Sequence, residues 1–137
     1  MSTKIEELCK QWFEEVWNKG RAEAIDELLS TEAIAHGLGE GGGDLKGTEG
    51  FKAFHAVFTG AFPDLQITVE DIMTSGDKGA VRFCGTATHR GDHLGIKATN
   101  RKVSFTGMTF MRWKDGQIVE GWNNVDIAGM MAQIGAE

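Results

Sequence analysis

The chain has 137 residues, 41% hydrophobic and 25% charged, with a formal net charge of -6. That is one domain over residues 1–137, long enough to bury a core, and its acidity excludes nucleic acid or an anionic membrane surface as the main partner. No apolar run approaches the roughly 20 residues of a membrane span, and Glu6 and Glu7 are unlike a signal peptide.

Cys9 and Cys84 have no CxxC spacing, so reduced, buried thiols in a cytoplasmic protein are expected. At the N-terminus Thr3 and Glu6 have capping-box spacing. Ile5, Leu8, Cys9, Trp12, Phe13, Val16 and Trp17 then recur at steps of three and four. This is the stripe of an amphipathic helix, closed by Asn18-Lys19-Gly20. A second short helix carries Ala22, Ile25, Leu28 and Leu29 on one side. Ser30 to His36 reads as a short strand, followed by a glycine-rich loop from Gly37 to Gly47. A third helix, from about Thr48 to Ala61, puts Phe51, Phe54, His55, Phe58 and Phe62 on one face and stops at Pro63-Asp64.

From Leu65 the period changes to two: Leu65, Ile67 and Val69 alternate with Gln66, Thr68 and Glu70. Ser75 to Gly79 is a turn, Ala80 to His89 a strand, and Gly91 to Asn100 a loop. Arg101 to Asp126 is the clearest signal in the chain. Two runs rich in β-branched and aromatic residues flank Lys114-Asp115-Gly116-Gln117, a hairpin signature. Val103, Phe105, Thr109, Met111 and Trp113 share one face of the first run, with Met108 and Phe110 on the other. Strict alternation puts Ile118, Glu120, Trp122, Asn124 and Asp126 on one face of the second run, bringing a carboxylate beside an indole. Asp126 to Ile134 reads as a short helical tail. Helices followed by a strand meander imply an α+β fold: N-terminal helices packed on one face of a curved antiparallel sheet, with a conical space between.

Phe62-Pro63-Asp64-Leu65, Gly85 to Gly91, Asp115-Gly116-Gln117-Ile118-Val119-Glu120-Gly121-Trp122 with Asp126, and Gln133-Ile134-Gly135 together resemble the SnoaL-like polyketide cyclase family. This family belongs to the nuclear transport factor 2-like superfamily of cone-shaped α+β folds, also described as cystatin-like. The resemblance implies a deep apolar pocket, no cofactor, and a homodimer formed through the sheet. It also implies an aspartate acting as acid and base in an intramolecular aldol closure, and the Trp-x-x-x-Asp spacing matches Asp126 to that residue.

Two catalytic candidates follow. Asp126 is read as a general base, lifted from a reference pKa of about 3.9 by apolar surroundings; the competing reading is a helix cap. His89, ending a strand with Val81, Phe83, Gly85 and Ala87, is read as the donor to a carbonyl oxygen, against a role in satisfying backbone. His36, Phe54, His55, Phe58, Trp122 and Asn124 are read as pocket residues.

Gly37 to Gly42 satisfies G-x-G-x-x-G, but no βαβ unit surrounds it, so no dinucleotide is expected. His89 and His93 are four apart off any helix, so no metal is expected. The chain has no tyrosine, which disfavours an isomerase with a phenolic oxyanion donor. The expected ligand is a small, apolar, carbonyl-bearing molecule. It is either turned over by aldol-type cyclisation or isomerisation, or held without chemistry.

Overall fold

The computed structural model describes residues 4–135; Thr3 of the capping box lies outside the described residues. Helix α1 (Lys4–Gln11) runs into a π-helical segment (Trp12–Asn18), followed by α2 (Ala22–Leu28) and β1 (Leu29–His36). A 3-10 turn (Glu40–Gly42) and the short β2 (Asp44–Lys46) occupy the glycine-rich stretch. Then come α3 (Gly47–Ala61), β3 (Gln66–Ser75), β4 (Lys78–Thr88), β5 (Lys102–Lys114), β6 (Gln117–Val125) and α4 (Ile127–Gln133).

The six strands form one curved, open sheet in the order β2-β1-β6-β5-β4-β3. Four neighbour pairs are antiparallel, as expected. The fifth, β1 with β6, is parallel, so the sheet is mixed. A parallel pair needs a long crossover, and here everything between β1 and β6 supplies it.

The helices cover one face. Cys9, Trp12, Phe13, Val16, Ile25, Phe51 and Phe58 pack towards Val81, Phe83, Val103, Phe105, Met111 and Trp113 of the sheet in one buried cluster. Two polar ties set the spacing. On the edge strand β3, the Asn18 amide donates to the Ile67 carbonyl (2.9 Å) and accepts from the Ile67 N–H (2.6 Å), standing in for a missing strand. His55 Nε2 donates to the Val16 carbonyl (2.7 Å) where the π-helical segment ends. Burial in this core pushes the Cys9 thiol up to about 11, the neighbouring Trp113 indole opposing the shift only in part. That thiol is inert at neutral pH.

Beyond α3, Asp64 accepts from the Thr88 amide and hydroxyl, both at 2.7 Å. Burial works against its charge. The Thr88 bonds and the Arg90 charge outweigh that and hold its pKa below the usual carboxylate range.

Two reciprocal close approaches shape the inner sheet face. Phe83 pairs across the ladder with Gly107, and Phe105 with Gly85. A Cβ on Gly85 would lie 2.4 Å from the Phe105 ring, and one on Gly107 2.5 Å from the Phe83 ring. Each phenyl therefore lies flat over a bare backbone, which it cannot do over any larger residue. Gly107→Ala should displace the Phe83 ring and cost about 1–3 kcal/mol, read as a lower urea midpoint at unchanged slope.

Candidate functional site

Between helices and sheet lies an apolar hollow. Its enclosed volume is about 70 Å³. Trp12, Phe13 and Trp17 of the π-helical segment and Phe51, Phe54 and Phe58 of α3 form one wall. The sheet supplies Phe83, Phe105, Thr109, Met111, Ile118, Gly121, Asn123 and Val125 to the other, with Leu38 and Ile127 at the half-buried margin. Among the described residues that line it, none has an ionisable side chain. Apart from the indoles, its polar side chains are Thr109 and Asn123.

The inward set of β6 depends on an irregularity. Arg112 pairs with Glu120, but the next residue, Trp113, pairs with Ile118, so Val119 is an extra residue in β6. One inserted residue reverses the facing of every side chain beyond it. Ile118 faces the helices, and after the bulge so do Gly121, Asn123 and Val125. The strict alternation expected over Ile118, Glu120, Trp122, Asn124 and Asp126 is therefore corrected.

The predicted site residues separate accordingly. Phe54 and Phe58 lie on the wall of the hollow, stacked on each other at 5.4 Å. His55 is buried behind them against Trp17 and spends its Nε2 on backbone. Asp126 is exposed and caps α4, its carboxylate accepting from the Gly129 amide at 2.9 Å. With Asn124 it borders a shallow groove that also includes Glu70, Arg82 and Met108. The carboxylate does not share apolar surroundings with Trp122, and the capping alternative describes its geometry. His89 is fully buried but lies off the wall. Its Nδ1 meets the Thr99 hydroxyl (3.1 Å) and accepts from the Thr99 amide (3.2 Å), its ring faces Phe62, and its Nε2 has no partner.

His36 and Trp122 also lie off the wall, on the opposite face of the sheet. The imidazole stacks on the indole (5.5 Å between centroids, 24° between planes). It bridges two carboxylates, Nδ1 to Asp44 at 2.8 Å and Nε2 to Glu120 at 2.7 Å. Arg112 stands behind Glu120 at 3.5 Å. The bonds to Glu120 and then Asp44 raise the His36 pKa. In turn the His36 bond, with Arg112 assisting against partial burial, lowers that of Glu120.

The residues that sequence reasoning missed are Thr109, assigned to the correct face but to no role, and Asn123, assigned to the wrong face. They are direct ladder partners. Thr109 Oγ1 donates to Asn123 Oδ1 (3.0 Å), and Asn123 Nδ2 donates to the His36 carbonyl (3.0 Å). The one trace of the phase change in the sequence is the pair of adjacent apolar residues, Ile118-Val119. Among the described residues, no three of His, Cys, Asp and Glu converge as a metal site, and no helix is long and apolar enough to cross a membrane.

Two outcomes are expected. Asp126→Ala should cost about 1 kcal/mol, the loss of one N-cap, seen in thermal unfolding, and should leave occupancy of the hollow by an apolar probe unchanged. For His36 the raised folded pKa means that its contribution is complete below the ordinary histidine value near ~6.5 and is lost as pH rises through the folded value. Glu120, with its lowered pKa, contributes above its ordinary value and fails as pH falls through the folded one. The advantage in melting temperature of wild type over His36→Gln should therefore shrink as pH is raised from about 6 to about 9.

Comparison with known proteins agrees with this architecture. IdmH, described as a "putative polyketide cyclase" from Streptomyces antibioticus, is 30% identical with a TM-score of 0.82, over 97% of this chain and 99% of that one. A "Putative SnoaL-like polyketide cyclase" from Jannaschia sp. CCS1 gives 25% identity and a TM-score of 0.85, over 100% of this chain and 98% of that one. AclR, "a putative hydroxylase" from Streptomyces galilaeus, gives 26% and 0.84, over 98% and 82%. A search of curated proteins returns no match. The SnoaL-like polyketide cyclase family model matches residues 7–134, nearly the whole domain, and the chain belongs to that family.

Proposed function

We propose that this protein encloses a small, largely apolar, oxygen-bearing molecule in the hollow, with the ligand's polar end against Thr109 and Asn123. The observation that carries this reading is the wall itself: aromatic and aliphatic side chains around one hydrogen-bonded polar pair, with no ionisable group. Such a surface favours an apolar body through burial at about 25 cal/mol per Å² and fixes its orientation through few polar contacts. Conversely, it is a poor place to put a charge.

A second reading, ring closure of an enolisable carbonyl compound without a cofactor, draws its support from the family and from the names of its neighbours. On this wall the contribution to such chemistry is orientation and exclusion of water. Asn123 is the residue placed to donate to a developing oxyanion. Proton transfer then involves water or the substrate's own groups, because Asp126 and His89 lie elsewhere. On either reading the site is cofactor-free, and the reduced thiols Cys9 and Cys84 suit a cytoplasmic location.

The outer sheet face is proposed as the contact with a second copy of the chain. Among the described residues, four of the five exposed large hydrophobics, Met73, Met108, Phe110 and Trp122, stand on it. The Arg82–Glu70 and Arg112–Glu120 pairs flank them, offering both signs of charge to a symmetry-related face.

The experiment is a cavity-filling substitution. A Cβ on Gly121 meets nothing closer than 3.8 Å, so the backbone there accepts a side chain, and Gly121→Val adds bulk to the hollow. It should reduce binding of naphthalene, followed by its fluorescence, at least tenfold while the fold persists by circular dichroism. Full binding in that variant would show that the hollow is not the ligand site.

A further inference from the structure

The Thr109–Asn123 pair has a direction, and that direction names a class of ligand. Asn123 Nδ2 lies 3.0 Å from the His36 carbonyl oxygen. A carbonyl oxygen only accepts, so the amide must turn its nitrogen towards β1. Its oxygen then faces Thr109 Oγ1 at 3.0 Å, and an amide oxygen also only accepts. The hydroxyl proton of Thr109 is committed to that bond. What Thr109 retains for an occupant of the hollow is its remaining lone-pair capacity: an acceptor, buried on an otherwise apolar surface. The order of donors, Thr109 to Asn123 and Asn123 to His36, is fixed from the backbone of β1 outward, and β1 is itself held by its ladder to β6.

We infer that Thr109 is a specificity-determining residue that reads a hydrogen-bond donor on the ligand, a phenolic or enolic hydroxyl carried by an apolar ring system. The inference deepens the cavity reading and rests on it. An ether or simple ketone oxygen can accept from the second Asn123 N–H but leaves the Thr109 lone pair without a donor, and for Thr109 to turn its proton towards such a ligand it must leave Asn123 Oδ1 unpaired. A hydroxyl completes the chain at no such cost: ligand O–H to Thr109, Thr109 to Asn123, Asn123 to the strand. A net hydrogen bond of this kind corresponds to roughly a threefold to tenfold preference. Selectivity follows from the asymmetry between a satisfied and an unsatisfied buried group more than from the strength of the bond itself.

The test uses two probes of nearly the same shape, 2-naphthol and 2-methoxynaphthalene, with wild type, Thr109→Val and Thr109→Ser. Wild type should bind 2-naphthol about threefold to tenfold more tightly than 2-methoxynaphthalene. Thr109→Ser should keep the preference. Thr109→Val, close in shape but without the oxygen, should abolish it while still binding 2-methoxynaphthalene. Equal affinities in wild type, a preference for the ether, or a preference that survives in Thr109→Val would each overturn the role given to Thr109 and leave the cavity reading intact. If folded wild type binds neither probe, the cavity reading itself fails and this inference falls with it.

Discussion

The extra residue in β6 governs the rest. Were Val119 paired in strict alternation instead of bulged out, the strand would turn Trp122 towards the helices. An indole in that position would fill the space between β6 and α3 and leave a packed core in place of a hollow. With the bulge, the inward positions of β6 are Gly121, Asn123 and Val125, facing Thr109 of β5 and Ala35 of β1. Small residues meet at the middle of the inner face while aromatic rings crowd in from Phe83, Phe105 and α3. The hollow is thus what remains when large side chains surround a patch of small ones, and the bulge at Val119 decides which set that patch is drawn from.

The same phase change sorts the charges. Glu120, Arg112, His36 and Asp44 all stand on the outer face, where water and one another's opposite charges stabilise them. Among the described residues, the inner face carries no ionisable side chain on the wall of the hollow, consistent with the cost of leaving a lone charge in an apolar interior. The two faces meet at one backbone group. The His36 carbonyl orients Asn123 on the inside, while the His36 imidazole holds Asp44 and Glu120 on the outside. Residue 36 fixes the polar anchor through its main chain and the stem of the glycine-rich stretch through its side chain.

Much of the fold is legible in the sequence because it is written in local terms. The Asp115-Gly116 turn needs two residues with positive φ, and these residues have φ of 52° and 79°. The helical spacing of Phe54 and Phe58 places both on the wall of the hollow without any knowledge of the sheet. Asp126 before Ile127-Ala128-Gly129 is equally a local signal, and the cap it forms is what it spells. The parallel β1–β6 pair and the bulge are not local. Both depend on how strands far apart in the chain align, and alternation extrapolated across Ile118-Val119 carries the error onto every later residue of β6. Asn123 is therefore not distinguishable from its neighbours Trp122 and Asn124 by alternation alone, and nothing local to His36 signals its bond to Glu120, 84 residues away.

The two walls of the hollow also differ in how readily they yield. Its closed interior has room for about five to seven waters, less than a fused-ring ligand needs. The sheet wall is fixed by ladder hydrogen bonds on both sides of β6 and by the Thr109–Asn123–His36 chain. Moving it exposes unsatisfied backbone, at the cost of whole hydrogen bonds. On the α3 side, Phe54 is half-buried and packs its ring against Trp17, Phe51 and Phe58. Dispersion contacts of about 0.1–0.2 kcal/mol per atom pair can be exchanged for equivalent contacts with a ligand at little net cost. The helical wall is therefore the more readily repacked of the two, while the polar wall is the one whose geometry is fixed by hydrogen bonds.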